Sequence, residues 1–453
     1  MRILLDLQGC QSDGSKDRGI GRYSLHLIKS LINKYPDNEY ILFANNLLAD
    51  ISYEFTDFID NTLFTVKYFR WNAPGPFNDR DRGKASKYWI GVQIRSMYIE
   101  KLKADIILIT SFFEGFLDNC LVDIDSTYNL PPIFSILYDL IPLINSNQYL
   151  NNDPEYKLFY LNRVNDLSNL DGLLTISESS KDEAIKFLQI NTDYIFNISS
   201  ACDEKKYSAL DSNTEEDIEI LGKFLLYCGA NDPRKNLLRL IEAYSLLPVN
   251  LIIKHKLVLT GPYSDEEINL IKEWLIKYGI PLEYVTLLGF VSNTKLTKLY
   301  QSCYLFVFPS LHEGFGLPVL EAMNCGAPVI ASSFTSLPEL IGDNQFMFDP
   351  TNVNDISSLI YKALTDSDFY KKISANSIQR KNLFSWKITT QRVIDSLNII
   401  LANNSKKIDN EINNSIDEQY KLLISYFTNN KFFRFKHQLN TLRLLSAAIS
   451  RIN

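Results

Sequence analysis

Histidine is scarce in this chain, with four in 453 residues. The six cysteines (Cys10, Cys120, Cys202, Cys228, Cys303 and Cys325) are scattered, and none forms a C-x-x-C pair. That argues against a zinc site and against a disulfide framework, and fits a reducing compartment. No apolar run reaches the roughly 20 residues of a membrane-spanning helix. The opening MRILLDLQGCQ is broken by Asp6, so it lacks the form of a signal peptide. A basic excess is also missing: 46 Lys and Arg stand against 53 Asp and Glu, a net charge of -7. This argues against broad nucleic-acid binding, which needs a cationic footprint. A cytoplasmic location is expected, and nucleic acid is not an expected partner.

What is present is a chain 46% hydrophobic, enough to build two or three cored domains. Short apolar runs alternate with helix-like stretches. RILLDL, YILFA, ADIILIT, PIFSILYDL and GLLTIS read as strands in the first half. The series resets with KFLLYCGA, HKLVLTG, YVTLLGFV, YLFVFPS and APVIAS. Such βα alternation predicts an α/β fold of two doubly wound domains with parallel sheets. The boundary falls near 200–222, where SALDSNTEEDIE is polar and acidic. In such sheets ligands bind beyond the carboxyl ends of the strands, so a central cleft between the domains is the expected site. Residues 403–418 read as a polar linker. Residues 419–453 carry Lys421, Lys431, Arg434, Lys436, Arg443 and Arg451 without an acid, and Leu439, Leu442, Leu445 and Ile449 recur at helical spacing.

One stretch carries the chemistry. In HEGFGLPVLEA, Glu313 and Glu321 bracket a glycine-rich, apolar loop. LFVFPS predicts a strand ending at Ser310. Pro318 suits the first turn of a helix that stops near Gly326. Glu313 is then placed in the loop and Glu321 in the helix's first turn. The free N–H groups of Phe315, Gly316 and Leu317 offer anion donors beside carboxylates able to accept hydroxyl hydrogen bonds. A phosphate attached to a sugar satisfies both.

PSLHEGFGLPVLEAMNCGAPVIAS closely resembles the signature of the retaining group 1 (GT4-like) glycosyltransferases of GT-B fold, with Glu313 and Glu321 as its E-x7-E pair. RGIGRY, GANDPRKNL, LLGFVS and FSW resemble further landmarks, so the likeness spans about residues 1–402. It implies a Rossmann-like acceptor-side domain over 1–203, a donor-binding domain over 204–384, and a crossover helix, 385–402, that returns to the first domain with Trp386 as anchor.

The resemblance also implies roles. Glu321 is expected to accept from the nucleotide's ribose. Glu313 is expected to contact donor-sugar hydroxyls, with Gly314, Phe315, Gly316 and Leu317 around sugar and phosphate. Arg234 and Lys235 of NDPRKN match the diphosphate-binding cations, although Ala230 stands where some relatives have an arginine. Gly19 and Gly21 are expected to let backbone approach the diphosphate, with Arg22 on the acceptor side. Gly289, Phe290 and Val291 resemble a base-reading loop, with Leu296 against the base. In YDLIP, Tyr138 replaces the histidine of many relatives, and Tyr138 and Asp139 belong to the acceptor side. The expected catalytic set is Glu313, Arg234, Lys235 and Asp139. Ser177 and Ser180 read as helix caps, Ser180 with Glu183 as a capping box.

No residue declares itself as a glycosidase-style nucleophile. The resemblance implies a front-face reaction with retention, in which the leaving phosphate helps deprotonate the acceptor. No metal and no cofactor are expected. The motifs look most like bacterial mannosyltransferases of surface polysaccharide synthesis, with GDP-mannose as donor and a saccharide or lipid-linked saccharide as acceptor. The alternatives are a UDP-hexose or dTDP-rhamnose donor, or a catalytically idle module that binds nucleotide sugars or partners. The tail, 419–453, is expected either to pack on the body or to make a peripheral membrane or protein contact.

Overall fold

The computed structural model describes residues 1–75, 86–125, 127–188, 190–203 and 222–404. SALDSNTEEDIE, most of the expected linker and the basic tail lie outside them. The helix Trp386–Asn404 runs two residues into the stretch expected to be linker.

Seven strands form the first sheet: β1 Arg2–Asp6, β2 Glu39–Asn45, β3 Thr65–Trp71, β4 Ile106–Ile109, β5 Ile133–Leu137, β6 Gly172–Thr175 and β7 Ile195–Asn197. Their order is β3-β2-β1-β4-β5-β6-β7. The second sheet holds β8 Phe224–Cys228, β9 Lys256–Thr260, β10 Val285–Gly289, β11 Leu305–Phe308, β12 Val329–Ser332 and β13 Met347–Phe348, in the order β10-β9-β8-β11-β12-β13. Every recorded pairing is parallel. This is the two-domain, doubly wound arrangement expected from the alternation.

The central strands are apolar on both faces because helices cover both. Ile3, Leu4 and Leu5 of β1 and all four residues of β11 are fully buried. Three edge strands were absent from the reading above: β3, β7 and β13. β3 alternates exposed Thr65 and Lys67 with half-buried neighbours, and β13 has only two residues. An edge strand covers less apolar surface, so its pattern is weaker.

Two buried ion pairs brace the first domain beneath its strand ends. Arg95 Nη2 meets Asp6 Oδ2 at 2.5 Å, and Arg163 Nη1 meets Asp123 Oδ2 at 2.9 Å. All four side chains are at most 5% exposed, so removing one partner would cost about 3–5 kcal/mol.

The helix Trp386–Asn404 packs on the helix Gly19–Lys34 of the first domain. The Trp386 ring lies 5.2 Å from Tyr23 and stacks at 5.9 Å on His26. Lys34 Nζ donates to the Lys387 carbonyl at 2.7 Å. The chain therefore crosses back to the first sheet's helical layer after finishing the second sheet. Among the described residues no helix is long and apolar enough to cross a membrane.

Candidate active site

The loops that follow the strands of both sheets meet in one cleft. After β8, Pro233–Lys235 form a single 3-10 turn capped by Asp232, whose Oδ1 accepts the Arg234 N–H at 3.0 Å. Asn236 then adopts φ 61°, a left-handed conformation that asparagine tolerates, and its Nδ2 donates to the carbonyls of Pro309 and Pro350. The Leu311 N–H donates to the Arg234 carbonyl at 2.7 Å. The two loops are thereby knitted together, and their charges meet.

Arg234 Nη1 lies 3.1 Å from Glu313 Oε2, and Lys235 Nζ lies 2.6 Å from Glu313 Oε1. Ser310 Oγ adds a hydrogen bond to Glu313 Oε1 at 2.6 Å. Burial by itself pushes the Glu313 carboxyl up, but Lys235 and Arg234 outweigh it and hold it below its ordinary value. Arg234 is likewise lowered by burial, and Glu313 and Asp232 more than reverse this, so it stays charged. Glu313 thus serves two cations, and with Asp232 on Arg234 the set places two positive and two negative charges at the cleft.

Beside it, Gly316 caps the helix Leu317–Asn324 with φ 103°. A Cβ there would come within 2.7 Å of Leu337 Cδ2. Among the described residues, the N–H groups of Gly314, Phe315, Gly316 and Leu317 have no recorded protein acceptor. Those of Gly316 and Leu317 are the unpaired donors of a helix N-terminus, those of Gly314 and Phe315 belong to the loop entering it, and all four follow Glu313 directly in the chain. Glu321 is corrected by one turn. The helix begins at Leu317, so Glu321 lies in its second turn rather than the first. It remains half-buried, and Tyr300 OH donates to its Oε2 at 3.3 Å.

On the opposite wall, Gly19 begins the helix Gly19–Lys34 and approaches Leu317, whose Cδ1 would lie 3.9 Å from a Cβ at Gly19. Gly21 answers a different demand. Its missing Cβ leaves room for the chain at Ser15 and Lys16, which would otherwise be met at 2.5 Å. Arg22 is exposed and acts electrostatically on Cys228 in the other domain. Gly314 packs on the first domain, where a Cβ would meet the Tyr138 carbonyl at 2.5 Å and Asp139 Cβ at 3.1 Å. Asp139 is pushed up by burial, against the Ile141 N–H and Arg234, which lower it. Tyr138 stands in this wall, but its hydroxyl turns inward, 2.7 Å from Ser24 Oγ and 3.1 Å from the Thr110 carbonyl. Burial raises it far above the usual tyrosine range, so it offers the cleft no base.

The Gly289 carbonyl is occupied inside its own domain, accepting from the Gly261 N–H at 3.0 Å and Thr260 Oγ1 at 2.9 Å. Phe290 is 83% exposed, while Val291 and Leu296 are half-buried against the core.

Several residues of the cleft were not singled out from the sequence. His312 Nε2 lies 2.7 Å from Glu183 Oε1 across the domains. Glu339 accepts the N–H groups of Glu178 and Ser179, both at 2.9 Å. Tyr149 OH donates to Asp232 Oδ1 at 2.7 Å. The capping box also needs correction. Ser177 caps the helix Glu178–Phe187 and accepts the Ser180 N–H. Ser180 is inside the helix, donating to the carbonyls of Tyr138 and Gly314, and Glu183 is engaged by His312. A cross-domain partner has replaced the local one.

Residues 213–380 match the family model of group 1 glycosyl transferases. The chain is 34% identical over 419 residues to the serotype-specific mannosyltransferase WbdA of Escherichia coli, a match covering 90% of this chain and 49% of the relative. It is 34% identical over 235 residues to the O-antigen chain mannosyltransferase B of Escherichia coli, covering 50% of this chain and 60% of that protein. The chain thus spans about half the length of WbdA. Among solved structures, Anabaena Alr3699/HepE in complex with UDP and glucose has a TM-score of 0.60 at 18% identity, over 88% of this chain and 99% of that one. At that identity the likeness concerns the fold. The two facing parallel-sheet domains thus have the GT-B arrangement, and residues 213–380 form a group 1 glycosyl transferase domain within it.

Proposed function

We propose that the chain is a retaining hexosyltransferase that moves mannose from GDP-mannose to a saccharide or lipid-linked saccharide in surface polysaccharide synthesis. The observation that carries the reading is the convergence of Arg234, Lys235 and the unpaired amides of 314–317 around Glu313. Cations and amides suit a diphosphate, and a carboxylate beside them suits sugar hydroxyls. Mannose rests on the likeness to the two Escherichia coli mannosyltransferases.

In this reading the nucleotide diphosphate leaves toward Arg234 and Lys235, which neutralise the charge it gains. The inward-turned Tyr138 offers the acceptor no base, and in the front-face reaction that the resemblance implies a leaving phosphate oxygen takes the acceptor's proton on the same face of the sugar. Asp139, against Gly314, holds the acceptor side of the donor loop. Because side-chain cations carry the charge, transfer is expected to persist in excess EDTA.

The test is calorimetric titration of GDP-mannose, GDP, UDP-glucose, UDP and dTDP-rhamnose into the chain and into Glu321→Ala, followed by turnover with a mannose-terminated oligosaccharide. GDP ligands are expected to bind, and Glu321→Ala to weaken them about tenfold or more through a lost charged hydrogen bond. Tight binding of a different base moves the donor to a UDP-hexose or dTDP-rhamnose. Binding without turnover on any acceptor favours the idle module, and undiminished turnover in Glu321→Ala removes that residue's role.

Six cations and no acid in residues 419–453 support a peripheral contact at an anionic inner leaflet. Phosphatidylglycerol-containing vesicles should retain the full chain more strongly than a chain ending at residue 418. Equal retention would show that the tail does not bind lipid.

A further inference from the structure

We infer that Tyr149 is a positioning residue for Arg234, acting from the opposite domain through Asp232. The inference rests on the proposed reading of Arg234 as the cation that meets the leaving diphosphate.

Tyr149 ends the short helix Ser146–Tyr149 of the first domain. Its hydroxyl donates to Asp232 Oδ1 at 2.7 Å, with Gln148 Nε2 farther off at 3.4 Å. That same Oδ1 accepts the Arg234 N–H at 3.0 Å, and Oδ2 accepts Arg234 Nε at 3.0 Å. Beyond it, Arg234 Nη1 reaches Glu313 Oε2 at 3.1 Å and the His312 carbonyl at 3.0 Å. Tyr149, Asp232, Arg234 and Glu313 therefore form one continuous line from the first domain into the donor loop.

A guanidinium is planar, so two anchored edges fix its plane. Glu313 anchors one edge from within the second domain. Asp232 anchors the other, but its own carboxylate is oriented by a hydroxyl that belongs to the first domain. Arg234 reaches its full alignment only when the two domains meet. The tie also acts locally. His312 with Glu183, and Glu339 with the amides of Glu178 and Ser179, still join the domains when the Tyr149 hydroxyl is removed. Its loss should be felt at Arg234 rather than as an open cleft.

Tyr149→Phe deletes one oxygen and keeps the ring. Transfer from GDP-mannose to a mannose-terminated oligosaccharide is measured for the unaltered chain, Tyr149→Phe, Arg234→Lys and the double variant. Loss of a hydrogen bond to a charged group corresponds to a fall in kcat of about tenfold, with KM for GDP-mannose within about twofold. In the Arg234→Lys background the same substitution should change kcat less than about twofold, because the group it aligns is gone. Equal losses in both backgrounds, or an unaltered kcat in Tyr149→Phe, would overturn the inference. A second readout does not need turnover. The Arg234 Nε–H resonance, identified by its absence in Arg234→Lys, should exchange faster with solvent in Tyr149→Phe. Unaltered exchange overturns the positioning role. If the unaltered chain transfers no sugar, the proposed function fails, and the exchange measurement alone decides the role of Tyr149.

Discussion

Glu313→Gln is expected to lower hexosyl transfer by roughly 10²–10³-fold, while free GDP binds as tightly as before or tighter. The two halves of that result come from one geometry. Glu313 accepts from Arg234, Lys235 and Ser310. Replacing its carboxylate with an amide removes one negative charge from beside two positive ones, so the field that a diphosphate meets becomes more favourable. The sugar loses a charged acceptor for its hydroxyls, and both cations lose the group that aims them. Catalysis needs the aim, whereas simple phosphate binding needs only the charge. Parallel losses of GDP affinity and transfer would show that Glu313 serves the nucleotide rather than the sugar.

The same substitution tests the loop's stability. Removing one partner of a buried ion set costs about 3–5 kcal/mol. The low end applies here, because Arg234 keeps 23% of its side chain exposed and remains paired with Asp232. Its contribution depends on pH in a definite direction. The folded-state pKa of Glu313 lies below its ordinary 4.5, so the stabilisation is present above about pH 4.5 and is lost as acid protonates the folded carboxylate below it. Glu313→Gln should accordingly differ most from the unaltered chain at neutral pH and converge with it in acid. A stability gap that stays constant while the folded carboxylate is titrated by acid would mean that hydrogen-bond geometry, rather than charge, is what Glu313 supplies.

How much of this was legible beforehand follows from which forces leave local traces. The buried strands were plain because a strand covered on both faces must be apolar throughout, as in RILLDL and LFVF. β3 was passed over because Thr65 and Lys67 interrupt one of its faces and Arg70 the other at the sheet edge. Glu313, Arg234 and Lys235 were legible as motif residues, and the fold brings all three into one ion set across 78 to 79 residues of chain. The cross-domain ties were not legible. Tyr149 and Asp232 are 83 residues apart, and Glu183 and His312 are 129 apart. No periodicity or spacing links such pairs, because only the docking of two separate domains creates them. Glu183 shows the consequence directly. Its spacing from Ser180 suggested a local cap, and a histidine of the other domain took it instead. Gly21 teaches a related lesson, since a glycine in a motif can answer to its own loop instead of a ligand.

Arg234→Ala is expected to reduce kcat by about 10²–10³-fold, with a smaller change in KM for the donor. The guanidinium is held at both edges before any ligand arrives, by Asp232 and by Glu313 with the His312 carbonyl. A charge fixed in place gives its largest benefit where substrate charge increases, and that is at the leaving phosphate in the transition state. Lys235 differs. Its ammonium is a point charge that rests 2.6 Å from Glu313 and 5.2 Å from the centre of the Phe308 ring. Lys235→Ala should therefore raise KM more than Arg234→Ala does and lower kcat less. Arg234→Lys should recover little of the lost rate, since a single ammonium cannot hold Asp232 and Glu313 at once. Steady-state kinetics on the three variants separate these effects. If Arg234→Lys retains most of the activity, only charge is required at this position, and the alignment imposed by Asp232 and Tyr149 would have no catalytic consequence.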